Sequence, residues 1–171
     1  EYFDGNDKEQ MTQPLLTNGR QSSGNMFLVK HDFVQVLKRI VTTYIEKYRE
    51  EFNGSEQGFL RNWPNNANLF GWVVSMKTGG NLKPHIHKEG WVSGTLYFNV
   101  PRVSGSNAGN IAFSLQGDDL PTDGKQFLPD EVLEVKKGDI CIFPSSLFHY
   151  TIPFSSDQER VSFAFDLIPV Q

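Results

Sequence analysis

After Asn62-Trp63-Pro64 the spacing of apolar residues falls to two and stays there almost to the end of the chain. Trp72–Met76, Lys83–His87, Thr95–Val100, Ile111–Leu115, Val132–Val135, Asp139–Phe143, Phe148–Ile152 and Arg160–Leu167 are each expected to be a short strand, because residues i and i+2 share one face of a strand. Turn-forming clusters stand between them: Thr78-Gly79-Gly80-Asn81, Ser104-Gly105-Ser106, Gly117-Asp118-Asp119, Lys137-Gly138-Asp139 and Ser155-Ser156-Asp157. Strands that follow one another without helices between them argue against a βαβ sheet and call for a closed or double-sheet architecture. Eight of them fit a jelly roll, so the expected class is mainly β.

One long helix precedes this region. Phe33, Leu37, Ile40, Val41, Tyr44, Ile45, Tyr48 and Phe52 recur at spacings of three and four, with Lys38, Arg39, Glu46, Lys47, Arg49 and Glu50 mostly between them. The pattern predicts an amphipathic helix over 32–52, N-capped by Asp32, with Gly54 past its end and one face laid on a sheet. Residues 1–30, broken by Gly5, Pro14, Gly19 and Gly24, read as an irregular lead-in with at most a short strand near Met26-Phe27-Leu28-Val29. A chain of 171 residues is expected to form one domain. Because it opens on Glu1, it is expected to be a trimmed form or a piece of something longer.

Composition removes several function classes. The single cysteine, Cys141, excludes an internal disulfide framework and any zinc site built on cysteine pairs. Sixteen basic against 20 acidic residues, with no basic block, argue against nucleic acid or an anionic membrane as the main partner. No apolar run nears the roughly 20 residues of a membrane span, and no signal-peptide pattern opens the chain. A cytoplasmic protein is the expectation.

The alternation also sorts the polar residues. Thr95, Tyr97 and Asn99 share one face of their strand, Arg160 and Ser162 one face of theirs, and His149 points with Thr151. These faces either meet water outside the sandwich or line a pocket inside it, and alternation alone leaves both open. Of four histidines, His85, His87 and His149 lie in strand segments, and His31 lies just before the helix. Two imidazoles at i and i+2 can grip one metal ion, and a third from a distant strand can complete the set. Imidazole suits iron, copper, nickel and zinc alike.

Taken together, Pro84-His85-Ile86-His87, Gly94-Thr95-Leu96-Tyr97-Phe98-Asn99, Gly138-Asp139-Ile140-Cys141-Ile142-Phe143-Pro144, His149 and Arg160-Val161-Ser162 resemble a 2-oxoglutarate/Fe(II)-dependent oxygenase. The resemblance is to bacterial and phage oxygenases related to the prolyl hydroxylases, and it covers residues 69–169. It implies a double-stranded β-helix beside one supporting helix, and an Fe(II) held by His85, His87 and His149. It further implies 2-oxoglutarate as cosubstrate, with Arg160, separated from His149 by ten residues, holding the C5 carboxylate. Arginine suits that place through its permanent charge and two-pronged geometry. Ser162 and Tyr97 match residues that complete the hydrogen bonding of the same carboxylate. Dioxygen and an unidentified peptide or small molecule would be the other reactants, with succinate as coproduct.

One departure stands out: histidine occupies position 87, where the family's pattern has a carboxylate. Three readings are open: His87 ligates directly, it leaves its place to water or an anion, or it yields the place to Glu89, which has the same strand parity. The first reading is preferred because His87 occupies the motif position. A cupin is the competing reading, since Gly138, Pro144 and His149 resemble its second motif, but it leaves Arg160 and Ser162 unexplained. A non-catalytic jelly-roll module is a third. Trp72, Trp91 and the segment 117–125 are candidate walls for a substrate cleft.

Overall fold

In the computed structural model, which describes residues 10–11, 13–101, 106–117 and 129–170, two short strands come first, β1 (Gln10–Met11) and β2 (Leu16–Ser22). The helices α1 (Asp32–Glu51) and α2 (Gly58–Arg61) follow. The rest is β: β3 (Ala67–His85), β4 (Val92–Asn99), β5 (Ile111–Ser114), β6 (Glu131–Leu133), β7 (Ile140–Pro144), β8 (Phe148–Thr151) and β9 (Arg160–Pro169). All pairings are antiparallel, in the order β6-β5-β8-β3-β9-β4-β7, with β2 on β3 and β1 on β2. This is the curled jelly-roll sheet expected of the sequence. No helix among the described residues is long and apolar enough to cross a membrane.

The curl is made by β3. Its first half pairs with β9, from Ala67 opposite Pro169 to Met76 opposite Arg160. Its end pairs with β8 instead, placing Leu82 opposite Thr151 and His85 opposite His149. The change of partner follows the Thr78-Gly79-Gly80-Asn81 cluster, which the spacing marks as a turn and the structure uses as a bulge within one strand. Between the Gly19–Met76 and Thr17–Asn81 pairs, one residue of β2, Asn18, faces four of β3, residues 77–80. Gly79 adopts φ +73, a conformation that glycine reaches without strain. One bent strand therefore stands where two were expected, and it ends at His85, two residues short.

The lead-in is more ordered than its composition indicates. β2 pairs with β3, and Met26–Leu28 form a 3-10 turn where a short strand was expected. Asn25 forces that turn: its side-chain oxygen accepts from the Phe27 N–H at 3.1 Å and from the Gly71 N–H at 3.1 Å, and its amide donates to the Leu69 carbonyl at 2.8 Å. The N-cap of α1 is His31, one residue before the expected Asp32, and its Nδ1 accepts from the Phe33 N–H at 3.1 Å. The Ser104-Gly105 part of one predicted turn and the segment 118–128 lie outside the described residues.

α1 does lie on the sheet. Leu37, Val41 and Ile45 pack with Met26, Phe27, Val92, Leu96, Phe163, Phe165 and Leu167 in the largest core cluster. Val34 is also buried, whereas Phe33, Tyr44 and Phe52 from the apolar periodicity are exposed. The stripe is narrower than its sequence pattern because one sheet covers only one side of a cylinder.

Gly94 shows how tightly this layer fits. A Cβ there would stand 2.7 Å from the Cys141 carbonyl and run into the Phe165 ring. Gly94→Ala is expected to destabilise the fold by about 1–3 kcal/mol through overpacking. Urea unfolding with an unchanged m-value checks this; an unaltered midpoint would show that the strands separate freely here.

Candidate functional site

The outer faces of β4 and β9 are apolar, so their alternate residues point into the barrel. Arg160, Ser162 and Asp166 of β9 line one cavity with Tyr97 and Thr95 of β4 and with the three histidines. The polar strand faces, left open between solvent and interior by alternation, face the interior. Cross-strand register pairs Tyr97 with Ser162 and Ser93 with Asp166. Asn99 departs from the expected face: a register shift after Tyr97 turns it away, and its amide donates to the Glu159 carbonyl at 2.7 Å.

His85 and His149 meet because they are direct cross-strand partners. His87 lies beyond the strand end and is placed by the chain instead, its backbone N–H donating to the Ser145 carbonyl at 2.9 Å. The donor atoms of the three histidines lie within 4.8 Å of one another. Glu89, the alternative carboxylate, is exposed and stands outside this group.

The orientation of each ring is set from behind. His85 Nδ1 lies 2.8 Å from the Lys83 carbonyl and His149 Nδ1 lies 3.0 Å from the Leu147 carbonyl. A carbonyl only accepts, so each Nδ1 carries the proton and each Nε2 keeps a lone pair. His87 Nδ1 lies 2.6 Å from Asp166 Oδ1, and His87 Nε2 stands 3.2 Å from His85 Nε2. At that separation the two nitrogens can share a proton or a metal ion. Two imidazole nitrogens bound side by side to one ion at roughly 2.1 Å stand about 3 Å apart. Burial, then the neighbouring His85, holds the His149 pKa down to about 3, and burial lowers that of His85 as well. Neutral imidazole is the form that binds metal. The donor set fits a divalent transition metal.

Arg160 lies elsewhere on the wall of the same cavity, only 3% exposed. Its Nε donates to the Gly109 carbonyl at 2.9 Å, and its guanidinium carbon sits 5.0 Å from the centre of the Tyr97 ring. No carboxylate pairs with it among the described residues. Burial lowers its pKa, as it must for a cation without a counter-ion, and the adjacent Tyr97 phenol only partly opposes this. The Tyr97 hydroxyl stands beside Arg160 and Thr95 but makes no hydrogen bond of proper geometry, although it is wholly buried. A buried cation and an orphaned hydroxyl side by side fit one end of a carboxylate-bearing ligand.

Trp72 is a cavity wall, its ring 5.5 Å from that of His87. Trp91 belongs instead to the helix-facing core and stacks on Phe59 at 5.5 Å. Of the segment 117–125, residues 118–125 lie outside the described residues. Asp166, Ser93 and Gln21 also reach the site or its rim, and the sequence reading missed them. For Asp166 the signal was present: it has the same parity as Arg160 and Ser162 on one strand. Gln21 could not be found that way, since it comes from β2 in the segment read as irregular.

Cys141 takes no part in the cluster. It is buried in a second core group with Tyr97 and Phe143, and burial pushes its thiol up to about 12. Iodoacetamide at pH 8 is therefore expected to leave the native protein unmodified and to alkylate it once unfolded, as read by mass spectrometry. Modification of the folded protein would place the thiol in contact with solvent.

Residues 71–166 match a family model described as "Putative 2OG-Fe(II) oxygenase". Among solved structures the chain is similar to a prolyl-4-hydroxylase from Pseudomonas putida, with a TM-score of 0.57 and 14% identity over 94% of this chain and 76% of that one. HygX from Streptomyces hygroscopicus, solved with nickel and 2-oxoglutarate bound, has a TM-score of 0.58 and 14% identity, covering 93% of this chain and 73% of its own. At such identities the likeness is one of fold. No curated protein sequence matches the chain.

Proposed function

This chain belongs to the 2-oxoglutarate/Fe(II)-dependent oxygenase family, and from that premise we propose which of its residues hold the metal and which the cosubstrate. His85, His87 and His149 hold Fe(II) through their Nε2 atoms, and Arg160, Tyr97 and Ser162 hold the C5 carboxylate of 2-oxoglutarate. The observation that carries this reading is the shared cavity, with three converging imidazoles and a buried arginine that has no counter-ion among the described residues. When bound, the iron supplies dioxygen activation coupled to decarboxylation of 2-oxoglutarate to succinate.

The chain's own residues select and orient. The Arg160 guanidinium, anchored through Nε to Gly109, keeps its outer N–H groups for a two-pronged grip on a carboxylate. The Tyr97 hydroxyl gains through that carboxylate the partner it lacks. Phe143 packs at 4.5 Å from His149, and Trp72 flanks His87, so the cluster has apolar neighbours on two sides. A protein side chain or a small molecule is the proposed substrate, hydroxylated at a carbon near the metal. Fe(II) needs a reducing setting, which the cytoplasm provides.

A cupin-type site would account for the histidines but gives the buried charge of Arg160 nothing to do. The metal assignment is checked by anaerobic titration of the apoprotein with Fe(II) or Ni(II). Wild type is expected to bind one ion and to gain about 2.7 kcal/mol of stability at a hundredfold excess over Kd, and His149→Ala to show neither effect. His87→Asp should keep metal binding, whereas His87→Ala with undiminished affinity would remove His87 from the ligand set.

Arg160 separates the oxygenase reading from every other metal site. Arg160→Ala is expected to leave metal affinity nearly unchanged and to weaken 2-oxoglutarate binding roughly 10- to 200-fold, the about 1.5–3 kcal/mol of a charge-assisted contact. Arg160→Lys should fall between, keeping charge but losing the planar fork. Calorimetric titration of 2-oxoglutarate into the metal-loaded proteins measures both. Equal affinity in wild type and Arg160→Ala would overturn the assignment.

A further inference from the structure

The three imidazoles are not equivalent. His85 and His149 donate their Nδ1 protons to neutral backbone carbonyls, at 2.8 and 3.0 Å. His87 instead donates to a carboxylate, at 2.6 Å from Asp166 Oδ1. The same oxygen accepts from the Ser93 hydroxyl at 2.6 Å, and Ser93 Oγ lies 2.8 Å from Ser145 Oγ. Because the carboxylate can only accept, the direction of this chain is forced: His87 Nδ1 carries the proton, and Nε2 is left free to face the cluster. Asp166 is buried, at 8% exposure, and no lysine or arginine pairs with it among the described residues.

We propose that Asp166 is a positioning residue that supplies, through the His87 ring, the negative charge that an aspartate ligand in place of His87 would bring directly to the metal. This rests on the three-histidine reading above. Replacing a carboxylate ligand by neutral imidazole leaves the metal site one charge more positive. A carboxylate on the remote nitrogen of that same imidazole returns the charge one ring further out, polarises Nδ1–H and raises the donor strength of Nε2. Placement supports the assignment. Asp166 sits on β9 with the parity of Arg160 and Ser162, and Ser93, its cross-strand partner, completes its hydrogen bonding from β4. His87 therefore needs no strand of its own to be held rigidly: Ser145 fixes its backbone and Asp166 its ring.

A double-mutant cycle tests this against a merely structural role. Metal affinity of the apoprotein is measured anaerobically with Co(II) against a competing chelator, for wild type, D166N, H87D and H87D/D166N. Asp166→Asn in the wild-type background is expected to weaken binding about 10- to 100-fold. In the His87→Asp background the metal already has its carboxylate and a second one nearby repels it, so the same substitution should cost nothing or tighten binding. Loss of equal size in both backgrounds, or no loss in either, would overturn the proposal and leave the histidine site standing. Wild type that binds no metal would overturn the histidine site and the proposal together. Should D166N fail to fold, NMR of the zinc-loaded wild type decides. The expected result is metal on Nε2 of His87 and a Nδ1 proton far downfield of those of His85 and His149; metal on Nδ1 contradicts the proposal.

Discussion

Strand β9 is paired along both edges, with β3 on one side and β4 on the other, and its two faces have opposite chemistry. Phe163, Phe165 and Leu167 face the helix; Arg160, Ser162 and Asp166 face the cavity. A strand paired on both sides cannot slip by one residue without moving every apolar side chain into the cavity and every polar one into the helix interface. That constraint fixes the register of the central sheet. The position of the arginine, the serine and the aspartate relative to the histidines follows from it.

The cost of the arrangement lies in the interior. A buried guanidinium with no carboxylate beside it among the described residues, and a buried phenol hydroxyl with no hydrogen-bond partner there, are each unfavourable. The rest of the fold offsets this with aromatic burial: Phe163 and Phe165 are fully enclosed, and Phe27 meets Phe163 edge to face at 5.2 Å. The helix is therefore more than a decorative layer on the barrel. By covering the apolar face, it allows the opposite face to stay polar and unsatisfied, which a binding site requires.

The histidines reach their place by two different routes. His85 and His149 are aligned by a ladder, and any change in the β3 bulge would shift one against the other. His87 is held by a loop, through backbone hydrogen bonds with Ser145 and Gly90 and side-chain contacts with Asp166 and Ser93. A site built partly on a ladder and partly on a loop tolerates a different residue type at the loop position more readily than at the others.

The class of the fold, the position of the long helix within one residue at each end, most of the strands, and the pairing of Arg160 with Ser162 on one face were all legible in the chain. These depend on periods of two and of about 3.6, which are local. Local spacing also marked His85 and His87 as a pair, and the family resemblance added His149. Only the tertiary structure decided what depends on closure. It turned the polar faces inward, because α1 covers the opposite face and a sheet has only two. It made the glycine cluster at 78–81 a bulge, because β2 and β8 were both available to carry the strand onward. It built β2 from a segment whose composition reads as irregular, since an edge strand draws its order from its neighbour's hydrogen bonds. And it brought Asp166 behind His87, 79 residues away in the chain, a contact that no local pattern encodes because it exists only once three strands have paired.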